Sequence, residues 1–216
     1  MYIKFVVLTQ PRTQIFNRYM LALTLTVSRI YTNELKELRK SCYYYNSVED
    51  PIDEFDIISN YLCIFNNNEL IASARITESN PSVWQKWVCN NIKIPSEKGI
   101  CNYSRACIDS NYRGQGVFNI LQIEMLKYCL DRNIQKIMCA TENEIYKINN
   151  FKSFHYDLYE KPFLGKNEPT GIVQGQFYIC NIVKNKKNII SIREKILNSF
   201  KAKGNSINLI ENYASI

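Results

Sequence analysis

Residues Ile100 to Leu130 read ICNYSRACIDSNYRGQGVFNILQIEMLKYCL, a strand, a short polar turn and a helix in succession. The apolar run from Ile100 to Ile108 stops at Asp109-Ser110-Asn111, residue types whose side chains hydrogen-bond their own backbone and so favour turns. After Gly116, apolar residues at Val117, Ile120, Leu121, Ile123, Met125, Leu126 and Leu130 recur near helical spacing, which predicts a helix with one buried face. Between the two lies Arg113-Gly114-Gln115-Gly116. Its glycines free the backbone so that several N–H groups converge beyond the strand end, where the positive end of the helix dipole also points. Arg113 adds a full charge. The turn is an anion cradle suited to phosphate or pyrophosphate. It is not a Walker loop, because no Gly-Lys-Ser/Thr follows, and it lacks the third glycine of a dinucleotide-binding fingerprint.

Composition bounds what surrounds this unit. A chain of 216 residues with 46% apolar and 12% aromatic residues predicts a folded protein with one sizeable core. A net charge of +7 suits an acidic or phosphorylated partner. Nucleic acid is not expected, because the lysines are scattered and only Lys184, Lys186 and Lys187 cluster. Eight cysteines show no C-x-x-C spacing, and Cys63, Cys101, Cys107, Cys129, Cys139 and Cys180 fall inside apolar patterns, which predicts small buried thiols. With His155 the only histidine, no metal site is expected. A reducing, cytoplasmic setting follows from this cysteine usage. Residues 19 to 30 are too short and too polar for a bilayer span of about 20 apolar residues, and no signal peptide is expected. Peripheral membrane contact and oligomeric state stay open.

Taken in order, residues 1–20 read as an N-terminal extension, 21–205 as one α/β domain and 206–216 as a polar tail. Leu23 to Val27 predicts a strand, and Thr32-Asn33-Glu34 starts a helix carrying Leu35 and Leu38, followed by the aromatic Tyr43 to Tyr45. Ser47 to Asp56 is an acidic loop. Asn66-Asn67-Asn68 joins Tyr61–Phe65 to Glu69–Ile76 as a hairpin. Thr77 to Gly99, holding Trp84 and Trp87, is a long excursion of the kind that forms lids. Gln135 to Cys139 predicts a strand and Asn143 to Asn150 a short helix. Phe154–Tyr159 and Val173–Ile182 predict a strand pair around a loop with Pro162, Gly165 and Pro169, and Ile189–Phe200 a terminal helix.

The strand–Arg-x-x-Gly–helix unit resembles the acyl-donor loop of the GNAT superfamily of N-acyltransferases, Gln/Arg-x-x-Gly-x-Gly/Ala. Arg113, Gly116 and Val117 match, and Phe118 stands where Gly or Ala is usual, placing a ring near the donor path. Asn143 to Phe151 resembles the family's acceptor-side helix ending Tyr-x-x-x-Gly-Phe, with Tyr146 and Phe151 matching and Asn150 replacing the glycine. The resemblance implies an α/β GNAT fold, a mixed sheet with helices on both faces. Two strands splay apart to take the donor. Arg113, Gly114, Gln115, Gly116, Val117 and Phe118 would then hold the donor's phosphates, and the backbone of Ala106, Cys107 and Ile108 would hold its pantetheine and polarise the thioester. Tyr146 would protonate the leaving thiolate, a role that competes with simple packing.

A further series resembles one branch of that superfamily, the acyl-homoserine lactone synthases and long-chain N-acyl amino acid synthases. It comprises Arg39-x-x-x-Tyr43, Asp53-Glu-Phe-Asp56, Ser73-Ala-Arg75 and Asn102-Tyr-Ser-Arg105. Here Asp53 and Asp56 pair with Arg75 and Arg105, or hold an acceptor's ammonium, while an arginine clamps its carboxylate; a structural ion-pair network is the competing account. Asn102 replaces the branch's usual glutamate, and an amide is no base. A water relay to Asp53, Asp56 or Glu142, or an amine that arrives deprotonated, would replace it.

The resemblance implies acyl transfer from an acyl thioester, on acyl carrier protein or coenzyme A, to the amine of an amino-acid-like acceptor, with Tyr43–Tyr45, Trp84, Trp87 and Phe118 lining an acyl tunnel or the core. The alternatives are a short-chain acetyltransferase acting on a small amine or protein lysine, and a non-catalytic GNAT-like binding module.

Overall fold

The computed structural model describes residues 20–42, 53–78, 88, 99–142, 151–167, 171–210 and 213. Its strands form one mixed sheet in the spatial order Asp157–Asn167, Gly171–Asn181, Lys136–Glu142, Ile100–Ile108, Glu69–Glu78, Asn60–Asn66, Ala22–Ser28 and Ser206–Asn208. The expected N-terminal extension, Tyr43–Tyr45, Trp84, Trp87 and the Asn143–Asn150 helix with Tyr146 lie outside the described residues.

Strand β1 (Ala22–Ser28) leads to helix α1 (Asn33–Cys42), whose first turn is closed by Thr32 Oγ1 accepting from the Leu35 N–H at 3.3 Å. A 3-10 turn (Glu54–Ile58) precedes β2 (Asn60–Asn66) and β3 (Glu69–Glu78). The hairpin between them turns on Asn67 and Asn68, with φ of 48° and 69°, the left-handed pair that suits a two-residue connection and that asparagine tolerates. The core unit follows as β4 (Ile100–Ile108) and α2 (Val117–Asp131), then β5 (Lys136–Glu142).

The C-terminal third departs from expectation in three ways. Strand β6 (Asp157–Asn167) runs through Pro162 and Gly165 against β7 (Gly171–Asn181), where a loop is predicted. The register shifts between Tyr159 and Phe163, so a bulge absorbs the proline that regular pairing would exclude. Helix α3 (Ile182–Lys201) starts a full turn and more before Ile189, because Asn181 Oδ1 caps the Lys184 N–H at 2.9 Å. The stretch predicted as a polar tail adds β8 (Ser206–Asn208), parallel to β1, and buries Tyr213 completely. Tail residues thus belong to the domain.

Helix α2 is also more enclosed than a one-faced helix. It lies between the sheet and α3, and Gln122 and Glu124 are buried with its apolar residues. Glu124 is neutralised by Arg193 of α3 at 2.6 Å and accepts from the Tyr213 hydroxyl at 2.9 Å. The main core joins α2 to Leu23, Leu25, Leu62, Ile64, Ile71 and Ile76. All described cysteines are free, and all but Cys42 are buried, as predicted.

Gly175 of β7 faces Phe163 of β6, whose ring stacks on Phe177 with centroids 4.5 Å apart. A Cβ at Gly175 would lie 2.5 Å from the Phe163 ring edge. Gly175→Ala is therefore expected to destabilise the protein by about 1–3 kcal/mol through overpacking, measured by urea unfolding.

Candidate functional site

Strands β4 and β5 pair in parallel from Ile100/Lys136 to Tyr103/Cys139 and then stop pairing with each other. Beyond that point β5 continues against β7 to Glu142, while β4 continues against β3 to Ile108. The sheet parts here. A register shift between Ser73 and Arg75 gives β4 one extra residue, and Arg105 within it has φ of 54°. This bulge bends the strand where its neighbour leaves. It places a non-glycine residue in left-handed backbone, which costs roughly 1–2 kcal/mol.

The Asp109 N–H donates to Ile71 O of β3 at 2.8 Å, so strand alternation turns the Ile108 carbonyl the other way, towards the parting. That carbonyl accepts from Arg113 Nε at 3.1 Å and from the Cys42 thiol at 3.2 Å. The predicted cradle follows directly. Asp109 closes a short 3-10 turn (Ser110–Tyr112) by accepting from the Asn111 N–H, and Gln115 Nε2 donates to Asn111 O, both at 2.8 Å. Gly114 and Gly116 have φ of 76° and 89°; Gly116 is the N-cap of α2 and brings no side chain to cap its N–H groups. A shallow cleft of about 190 Å³ beside the turn is lined by Gln115, Gly116, Asn119, Lys195, Ser199 and Lys203, adding one cation from α3 and one from just beyond its end. Val117 is buried, and Phe118 packs half-buried against the main core.

Above β3 and β4 lies a buried ion cluster. Asp53 and Asp56 cap each other's turn, the Phe55 N–H donating to Asp53 and the Asp53 N–H to Asp56. Asp56 Oδ1 accepts from Arg39 Nη1 at 3.0 Å, from Arg75 Nη1 at 3.2 Å and from the Tyr61 hydroxyl at 2.7 Å. Asp53 accepts from Arg75 Nη1 at 2.5 Å and Arg105 Nη2 at 3.0 Å, while Arg75 Nε reaches Ser104 Oγ at 3.0 Å. Sequence reading joined Asp53, Asp56, Arg75 and Arg105, and the fold brings all four together. It passed over Arg39 as a site residue, although Arg39 follows Leu35 by four positions on the buried stripe of α1, a legible signal. Arg39 is completely buried, with its guanidinium 4.8 Å from the Tyr31 ring centroid and 5.4 Å from that of Tyr61. Its Nε and Nη2 have no hydrogen-bond partner among the described residues.

Burial works against the charge of Arg39, yet Asp56 more than offsets it and raises the guanidinium above its ordinary value. Burial likewise works to raise Asp53, but Arg75 and Arg105 lower it overall. Burial and Asp56 push the Tyr61 phenol up. Asn102 is buried in the paired half of β4, in register with Met138 and Thr77. Ala106 and Cys107 line the diverging half.

Neither a protein-family model nor a curated protein sequence matches this chain. Solved structures do. The CoA-dependent acyl-homoserine lactone synthase BjaI, solved with SAM and isopentyl-CoA, matches with a TM-score of 0.62 at 14% identity over 90% of this chain and 96% of its own. The acyl-homoserine lactone synthase LasI matches with a TM-score of 0.58 at 16% identity over 75% of this chain and 91% of its own. An acyl-CoA N-acyltransferase from Pseudomonas aeruginosa matches with a TM-score of 0.55 at 14% identity over 74% and 99%. This chain has the GNAT fold.

Removing one partner of a buried pair strands the other. Asp56→Ala is expected to cost about 3–5 kcal/mol in urea unfolding, because it leaves Arg39 buried without a counter-charge. The lowered Asp53 contributes stability that is present above the unfolded carboxylate value of about 3.9 and lost as pH falls through its folded value. Unfolding free energies measured from pH 6 down to pH 2 should therefore fall less steeply in Asp53→Asn than in the parent.

Proposed function

We propose that this chain is an N-acyltransferase that moves an acyl group from a thioester to the amine of an amino-acid-like acceptor. The observation that carries this reading is the parting of β4 from β5 above an uncapped helix N-terminus with Arg113 beside it. A pantetheine arm is an extended chain with amides, and it can lie along β4 and pair with strand backbone such as the Ile108 carbonyl. Its phosphates would rest on the turn from Arg113 to Phe118, with the N–H groups of Gly114, Gln115 and Gly116 directed at them. Lys195 and Lys203 favour a donor with further phosphate, as coenzyme A has, over the single phosphate of a carrier-protein arm.

The acceptor amine attacks the thioester carbonyl directly, its developing oxyanion held by backbone N–H groups of β4 that face the parting, such as that of Ile108. Collapse of the tetrahedral species breaks the C–S bond, and the leaving thiolate takes a proton from Tyr146. Asp53 is lowered by Arg75 and Arg105 and is therefore a poor base, so the amine is expected to arrive deprotonated or to lose its proton to water. Arg39, Arg75 and Arg105 gather around Asp53 and Asp56, and guanidinium groups so placed suit an acceptor carboxylate. The BjaI structure, which holds SAM beside isopentyl-CoA in a similar fold, supports this pairing of an amino-acid acceptor with an acyl donor.

The test is mass spectrometry of lipid-soluble extracts from cells expressing the protein, beside an Arg113→Ala control. New N-acyl amino acids or acyl lactones, absent in the control, are expected. Acetylated small amines alone would favour the short-chain alternative, and donor binding without any turnover the binding module. With purified protein, Arg113→Ala is expected to raise KM for the acyl donor about tenfold with little change in kcat, since a phosphate contact distant from the thioester contributes uniform binding. Steady-state kinetics with varied donor measure this.

A further inference from the structure

Cys42 and Cys107 are thiols beside the diverging half of β4. Cys42 ends α1, is partly exposed, and donates to the Ile108 carbonyl at 3.2 Å. Cys107 precedes Ile108 on β4, so its side chain turns to the opposite side of the strand from that of Ile108 and packs with Leu38 in one small cluster against which Cys42 also rests. Cys42 thus reaches the carbonyl of the residue that follows Cys107, while the Cys107 sulfur lies 3.2 Å from Ser73 Oγ.

The pair is asymmetric. The neighbouring Cys107 thiol lowers the Cys42 thiol to about 6; burial opposes this, and Ser41 and the charge of Arg113 assist it. Its bond to Cys42 and full burial both hold the Cys107 thiol up. One member is thus an accessible nucleophile, and the other is buried directly behind it. The remaining described cysteines are buried, and none competes for a bulky reagent.

We propose that Cys42 is a modification site for low-molecular-weight disulfides and that Cys107 resolves the adduct into an intramolecular disulfide at the donor side of the parting. The Cys42 thiolate attacks one sulfur of RS–SR, the S–S bond breaks, and RS⁻ leaves and takes up the proton that Cys42 released. Cys107 then loses its proton, attacks the Cys42 sulfur and expels the second RS⁻, which that proton converts to RSH. Two protein thiols are oxidised by two electrons, and one RS–SR is reduced to two RSH. At the mixed-disulfide stage the R group sits against the Ile108 carbonyl. At the final stage that carbonyl has lost its thiol donor, and the end of α1 is tied to β4. The consequence for the acyl donor rests on the acyltransferase reading; the thiol chemistry does not.

The experiment treats reduced full-length protein with oxidised glutathione, blocks free thiols with N-ethylmaleimide, and maps cysteine peptides by mass spectrometry. Parent protein should yield a linked Cys42–Cys107 peptide pair. Cys107→Ser should stop with one glutathione on Cys42. Cys42→Ser, verified as folded by its thermal melt, should keep Cys107 reduced. No linked pair in the parent, a glutathione elsewhere in Cys107→Ser, or modification of Cys107 in Cys42→Ser would each overturn the proposal. Acyl-coenzyme A binding, measured in parallel, should weaken at least about tenfold on oxidation and return with dithiothreitol. Reduced protein that binds no donor would sink the acyltransferase reading while leaving the peptide map to judge the thiol pair.

Discussion

Five buried or half-buried charges hold one part of this protein, beside the parting of the sheet, in one arrangement. Arg39 comes from α1, Asp53 and Asp56 from the turn before β2, Arg75 from β3 and Arg105 from the bulge of β4. Removing such groups from water costs several kcal/mol per ion, so the cluster is tolerable only when every member meets its partners. That requirement ties a helix, a turn and two strands into one geometry. It also accounts for the backbone of Arg105, whose left-handed conformation is unfavourable on its own and is offset by the ion pair to Asp53.

The same bulge connects the cluster to the glycine turn. It bends β4 at the point where β5 leaves, so the residues that follow, Ala106 to Ile108, run from the ion cluster to the uncapped start of α2 within one stretch of strand. A thioester laid along that stretch would have its phosphates at the helix dipole and its reacting carbon beside the arginines. Sheet pairing cannot supply this by itself, because a regular parallel partner would consume the backbone groups that a pantetheine needs.

Much of this was legible from local pattern. The strand, cradle and helix from Ile100 to Leu130 were readable because turn chemistry, two glycines and helical periodicity agree over consecutive residues. The asparagine hairpin was readable for the same reason. Where the reading failed, contacts distant in sequence decided. Strand β6 persists through Pro162 because β7 offers an edge and a bulge removes the need for the missing N–H. Residues 206–208 become a strand only because the end of β1 is exposed beside them, and Tyr213 is buried by reaching Glu124 across 89 positions. No short-range signal carries such pairings.

The sequence by itself determined the glycine turn, the succession of elements from β1 to β5 and the identity of four of the five charges, since each is written in spacing and residue type. Only the tertiary structure decided that Arg39 joins them, that β4 bulges at Arg105, and that Cys42 meets Cys107 at the Ile108 carbonyl. Those facts depend on how a helix near the start of the domain packs over a strand some 65 residues later, a distance at which burial and mutual charge neutralisation select the arrangement and local propensity has no influence.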